Sequence, residues 1–148
     1  MKKKLLIIGP VLLLVLAVVA KMFLLAPAPP DEKALAKEPG PIYTMSEPFV
    51  VNLADGGDAP HFAKVGIALR VSMLSAAEVP ASEGADPVVI EADPELRDIV
   101  IATLQKHTSA ELSHPRGRAS VKKQIVAEVN KHTDLKILDV YYTEFAVQ

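Results

Sequence analysis

At 148 residues, with a formal charge of −2 and neither cysteine nor tryptophan, the chain has room for one small domain and cannot build disulfides, thiolate metal sites or a cysteine nucleophile. Lys2, Lys3, Lys4 and Lys21 precede every acidic residue, so the remainder carries 12 basic against 18 acidic residues. That balance excludes the basic face a nucleic-acid binder needs, and an aromatic content of 5% argues against base-stacking or sugar-binding platforms.

The first element is an apolar run from Leu5 to Leu25, interrupted only by Gly9-Pro10 and Lys21 and marked along its length by Leu5, Leu12, Leu16, Lys21 and Leu25. As a helix it reaches about 31 Å, the thickness of a bilayer's hydrocarbon core. Its 15 Leu, Ile, Val and Phe residues contribute at most about −5 to −9 kcal/mol of insertion energy, which outweighs the roughly +3 kcal/mol of one lysine. Lys21, a turn from the far end, extends its ammonium to the headgroups, so that cost falls further. Three lysines at the start against Asp31 and Glu32 on the far flank place the N-terminus in the cytoplasm and export the rest. A cleaved secretory signal is the competing reading, with Ala26-Pro27-Ala28 as its cut region, although the run is longer than such signals usually are.

Residues 27–46 hold five prolines among charges and read as an extended linker of up to roughly 60 Å. The composition then changes. Phe49, Val51 and Leu53 alternate with Val50 and Asn52 as in a strand, Asp55-Gly56-Gly57-Asp58 turns the chain, and Phe62 to Leu74 alternates again. Ala63, Val65, Ile67, Leu69, Val71 and Met73 define one buried face, with Lys64, Gly66, Ala68, Arg70 and Ser72 on the other, and the short loop makes the two strands an antiparallel pair. Residues 75–92 read as a loop with at most one short strand at Val88-Val89-Ile90.

Asp93-Pro94-Glu95 is a helix start with Asp93 as N-cap. Leu96, Ile99, Val100, Thr103, Leu104 and His107 then share one face of a helix to about Ala110. A break at residues 113–117 leads to a second helix, Arg118 to His132, buried along Val121, Ile125 and Val129. Lys136 to Val147 returns to strand, with Leu138, Val140 and Tyr142 on one face and Phe145 and Val147 on the opposite parity, which predicts a bulge near Thr143. Helices on one face of a small, mostly antiparallel sheet make this an α+β domain. The organisation is thus a lysine stub and transmembrane helix at 1–26, a linker at 27–46 and an exported domain at 47–148.

Little in the chain suggests chemistry. His61, His107, His114 and His132 form no ligand pair, no serine lies in a nucleophile elbow, and no Gly-rich loop is built to cradle phosphate. No catalytic residue, cofactor or metal site is expected. Arg116, Arg118, Lys122 and Lys123 are the basic cluster of the exported part, read either as a solvated face or as a patch that meets an acidic surface on another copy or a partner.

Four segments carry a family resemblance: Glu47 to Leu53, the strand around His61 to Leu74, Asp93 to Val100, and Val140 to Gln148, which ends Thr-Glu-Phe-Ala-Val-Gln. With them the sequence resembles the FliL family of flagellar basal-body-associated proteins. The resemblance implies an exported domain similar to the stomatin/prohibitin (SPFH) scaffold and ring-like homo-oligomers around the stator units. It also implies contact with the periplasmic linker of the stator's peptidoglycan-binding subunit, a place in the bacterial inner membrane, and support of stator assembly or activation, hence of torque, swimming and swarming. A membrane-anchored stomatin-like scaffold of a non-flagellar complex is the alternative.

Overall fold

The computed structural model describes residues 31–55, 57, 59–79 and 89–148, together with Val15, Val18 and Lys21. Those three are helical and exposed, and the rest of the expected anchor, including Leu5, Leu12, Leu16 and Leu25, lies outside the described residues. Among the described residues no helix is long and apolar enough to cross a membrane. Residues 1–30 and 31–148 form separate compact units.

The second unit runs α1 (Glu32–Leu35), β1 (Pro39–Thr44), β2 (Phe49–Asn52), β3 (Phe62–Ser72), a 3-10 turn (Met73–Glu78), α2 (Asp93–Leu104), α3 (Ser109–Ser113), α4 (Pro115–His132) and β4 (Ile137–Val147). The α+β class with an antiparallel sheet is as expected. β3 is its centre. β4 pairs with β3 along nearly its whole length, from Ala63 opposite Val147 to Val71 opposite Ile137. The other edge of β3 is shared end to end, β2 occupying positions 62–65 and β1 positions 68–72.

One segment read as linker is therefore part of the sheet. Pro39–Thr44 forms β1 despite its two prolines, because proline's missing N–H is harmless on an edge strand and the register shifts between Pro39 and Ile42. Gly40 lies so close to β3 that a Cβ there would sit 2.8 Å from the Ser72 carbonyl oxygen, and Arg70 donates to the Gly40 carbonyl at 3.0 Å. Upstream, Asp31 caps the single turn of α1 by accepting the Lys33 N–H at 3.0 Å.

Alternation in β3 gives the core. Ala63, Val65, Ile67, Leu69 and Val71 are buried and meet Leu96, Val100 and Leu104 of α2, Leu112 of α3 and Val121, Ile125 and Val129 of α4. At about 1.5–3 kcal/mol per buried aliphatic side chain this face is the domain's main stabilising element. Met73 leaves the pattern, because β3 ends at Ser72 and Met73 starts the 3-10 turn, 41% exposed. The opposite face is less open than its composition suggests. Gly66, Ala68 and Ser72 are buried there, shadowed by larger neighbours such as Tyr141 beside Ala68.

The helices begin and end differently from expectation in three places. Asp93 is not the N-cap of α2; Ala92 is, without a side-chain bond, and Asp93 sits in the first turn with its carboxylate buried against Tyr43. The helix stops at Leu104 rather than near Ala110, because Thr108 and Glu111 form a capping box that starts α3: Thr108 Oγ1 accepts the Glu111 N–H and Glu111 accepts the Thr108 N–H. Finally α4 starts at Pro115, three residues before Arg118, with proline in the first turn where its missing N–H costs nothing. Val89 and Ile90 are not strand; Ile90 is buried in the core and Val89 is exposed.

The bulge expected near Thr143 is present: Gly66 faces Glu144 and Ile67 faces Tyr142, leaving Thr143 unpaired. Gly66 makes this crossing feasible, since a Cβ there would collide with Thr143 Oγ1 and lie 3.1 Å from the Glu144 nitrogen. A second bulge at Leu138 was not anticipated. It turns Ile137 inward with Val140 and leaves Leu138 half-buried, so Leu138 does not share Val140's face.

Candidate protein-interaction surface

The four basic residues singled out in the sequence fall within the first nine residues of α4, and the structure divides them. Arg118 is committed to the fold. Its guanidinium donates to the carbonyls of Leu112 and Ser113, both at 3.1 Å, closing the C-terminal end of α3, and lies 5.5 Å over the Phe145 ring. Lys122 sits 5.0 Å over Tyr142 and 5.7 Å from the centre of Tyr141. Arg116 and Lys123 are exposed and have no ion pair or hydrogen bond among the described residues.

The aromatic partners of these cations come from β4, and the sequence reading missed them. Because of the Thr143 bulge, Tyr142 and Phe145 turn to the same side and pack edge to face at 4.8 Å, and the Tyr142 hydroxyl donates to the Arg118 carbonyl at 3.1 Å. Burial pushes the Tyr142 hydroxyl up to about 12, Arg118 opposing the shift, so the phenol stays protonated and acts as a donor. The available signal was the bulge itself: two aromatic residues three apart across a parity change land together.

α4 is held here from its other side by close backbone packing. A Cβ on Gly117 would overlap the Glu111 carbonyl, so only glycine lets α4 lie against α3. His107, grouped in the sequence with the apolar face of α2, lies beyond that helix and bridges to α4. Its Nδ1 is 3.2 Å from Glu111 Oε2 and its Nε2 is 3.0 Å from Gln124 Oε1. The bond from the Thr108 N–H, then that from His107, holds the Glu111 carboxyl below its usual value. Asp55, at the end of the β2 segment, accepts the Ser109 N–H at 2.9 Å and the Ser109 hydroxyl, and those bonds depress it likewise.

Between α4 and β4 these elements leave a shallow groove of about 420 Å³, lined by Ala119, Lys122, Lys123, Val126, Leu138 and Asp139. It is apolar at its floor and cationic along one wall. On the far side of the domain the charge reverses: Glu78, Glu91, Glu95 and Asp134 line a second groove of about 500 Å³ at the opposite end of α4. Among the described residues there is no cluster of three or more His, Asp or Glu able to hold a metal ion.

The comparison with known families is decisive about kinship. The family of flagellar basal body-associated proteins FliL matches residues 42–148, which is β1 from Ile42 onward through β4. The chain belongs to the FliL family. A flagellar protein FliL of Aquifex aeolicus (strain VF5) is 31% identical over 117 residues, covering 78% of this chain and 66% of that relative, just under two thirds of its length. FliL proteins are flagellar accessory proteins and not enzymes, which agrees with a surface built from cations, aromatic rings and a groove. The match begins inside the segment read as linker, where β1 joins the sheet.

Proposed function

We propose that this chain is an accessory protein of the flagellar motor, tethered in the inner membrane by residues 5–25 with its folded unit on the periplasmic side. There it assembles around stator units and supports their assembly or activation, and so torque, swimming and swarming. The observation that carries the reading is the FliL match over residues 42–148, from within β1 through β4. The tether rests on the length and hydropathy of the N-terminal run and on the lysines before it. Part of the segment read as linker is folded: α1 spans Glu32–Leu35 and the chain enters the sheet at Pro39.

Oligomers are supported by confinement to a membrane, which raises the effective concentration of neighbouring copies so that weak head-to-tail contacts suffice; the carboxylate-lined groove beyond the end of α4 is one face such a contact can use. A stomatin-like scaffold role for the domain is part of the same reading. The stator contact is assigned to the α4–β4 side, where Arg116 and Lys123 project.

Cross-linking in motile cells, followed by purification of the full-length chain, tests this. Recovery of oligomers together with both stator subunits is expected, with an intact N-terminus by mass. Oligomers without stator subunits, in cells whose swimming is unchanged by loss of the protein, would overturn the motor role in favour of a scaffold for another membrane complex. A soluble monomer beginning near Pro29 would overturn the tether.

A further inference from the structure

The outer edge of β4 is closed at one end and open at the other. Near its start, Asn130 of α4 takes both backbone groups of Ile137, donating to its carbonyl at 2.9 Å and accepting its N–H at 2.8 Å. The Val140 N–H is taken by the side chain of Asp139 at 2.8 Å. These contacts imitate a neighbouring strand and seal positions 137–140. Beyond them no such cover exists among the described residues.

The direction of the remaining amides follows from the ladder. Phe62 and Gln148 exchange both backbone bonds at 2.8 Å, so alternation puts Ala146 and Glu144 in the same class, facing β3. Phe145 and Val147 therefore direct their N–H and C=O groups away from the sheet. Past the bulge, the Ser72 N–H to Lys136 carbonyl bond shows that even-numbered positions of β3 face β4, which makes Tyr141 the bonded partner of Ala68 and turns the backbone of Tyr142 outward. Tyr142, Phe145 and Val147 have no backbone bond on that side among the described residues. Native sheets rarely leave such an edge bare without a use for it.

The flank of this open edge is cationic. Arg118 and Lys122 lie over the rings of Phe145 and Tyr142, and Lys123, next to Lys122 in the chain, stands with it on the wall of the groove at Leu138 and Asp139. The nearby Glu144 is neutralised by Lys64 on the opposite face of the sheet, at 2.6 Å. We infer that the open edge from Tyr142 to Val147 receives an extended segment of a partner protein as an added strand, that segment alternating apolar and acidic residues. Backbone bonds to Tyr142, Phe145 and Val147 supply affinity, and alternation turns the carboxylates to the α4 side, where they meet Lys122 and Lys123, while the apolar side chains cover the opposite face. The seal at Ile137 sets where the added strand must stop. The inference rests on the α4–β4 side being the partner-facing side.

Two synthetic peptides test it against the isotope-labelled full-length chain: an end-blocked (Val-Glu)4 and an end-blocked (Val-Lys)4. The acidic peptide is expected to shift and slow the exchange of the Tyr142, Phe145 and Val147 amides, leaving the already bonded Glu144 and Ala146 amides unchanged in exchange. The basic peptide should bind at least tenfold more weakly. Lys122→Glu with Lys123→Glu should weaken the acidic peptide at least tenfold, and Val147→Pro, which removes one outward donor, should abolish protection at its end of the edge. Equal binding of the two peptides, binding of neither, or shifts confined to another face would overturn the inference. So would protection of these amides in the free chain together with dimer formation in sedimentation, since a second copy would then occupy the edge. If charge-reversed chains lose the peptide yet still co-purify with stator subunits, the edge assignment fails while the motor reading stands; if peptide binding holds and stator subunits are never recovered, the reverse is true.

Discussion

The two edges of β3 are finished in opposite ways. On one, β1 and β2 are short and lie end to end, and each is fastened by side chains reaching into the helical layer: the Tyr43 hydroxyl donates to buried Asp93, Arg97 lies 4.6 Å over Phe49, and Asp55 holds Ser109. On the other, β4 is a single 11-residue strand with two bulges, and its polar and aromatic groups point toward α4 and toward solvent. The first edge is spent on closing the domain. The second leaves the backbone groups of Tyr142, Phe145 and Val147 without a backbone partner among the described residues and sets cations beside them.

Changes that attack the junction of β3 with β4 should be the most damaging. Gly66→Val drives a branched side chain into Thr143 and the Glu144 backbone and is expected to cost about 3 kcal/mol by urea unfolding. A cost under 1 kcal/mol would mean that the bulge can slide, and that β4 is not the fixed edge described above. Next comes the fastened edge. Tyr43→Phe removes the donor to a carboxylate that is only 8% exposed, with an expected loss of about 2 kcal/mol. Burial, then the Asp93 carboxylate, holds the Tyr43 hydroxyl far above its usual value, so the bond persists through alkaline pH until the domain itself opens.

Acid should loosen the contacts between the β2 end and α3 before it affects β4. Asp55 and Glu111 both have carboxyls depressed in the folded state by hydrogen bonds from Ser109 and from Thr108 with His107. A depressed folded value contributes stability that is complete above the unfolded carboxylate value, near pH 4, and is lost as pH falls through the folded value. Unfolding midpoints should therefore drop as the pH falls below about 4. The double substitution Asp55→Asn with Glu111→Gln should flatten that slope. An unchanged slope in the double variant would assign the acid response to other carboxylates.

The inner half of the architecture was legible because it obeys period. The alternation of β3 and the spacing of Val121, Ile125 and Val129 translate directly into burial. The parity conflict at Phe145 located a bulge. The second bulge escaped notice because Leu138 and Val140 look like ordinary alternation, and only pairing with β3 shows that Ile137 takes the inward place. β1 was hidden by its prolines, which forbid a central strand but not an edge. The end of α2 was set by Thr108-Ser109-Ala110-Glu111, a capping signature that an otherwise continuous helical pattern obscured. Of the basic cluster, sequence gave the members without their roles. Arg118 reads like Arg116 along the chain, and only the bulged strand brings Phe145 beneath one of them.

The smallest expected effect separates those roles most cleanly. Lys122→Met keeps the aliphatic stem against the rings of Tyr141 and Tyr142 and removes the charge above them. At about 0.5 kcal/mol for an exposed cation–aromatic contact, it should lower the unfolding midpoint slightly. Lys123→Met, with no such contact among the described residues, should leave stability unchanged to within about 0.5 kcal/mol. Both should weaken the acidic peptide by similar factors if the wall of the groove acts as a field of charge, because each substitution removes one cation from the same strip. A Lys122 effect on the peptide without a Lys123 effect would instead mean that the Tyr142 platform is the recognising surface and that the groove is incidental. In either case the difference in stability between the two variants measures how much of the basic cluster belongs to the fold, and the similarity in binding measures how much belongs to the partner.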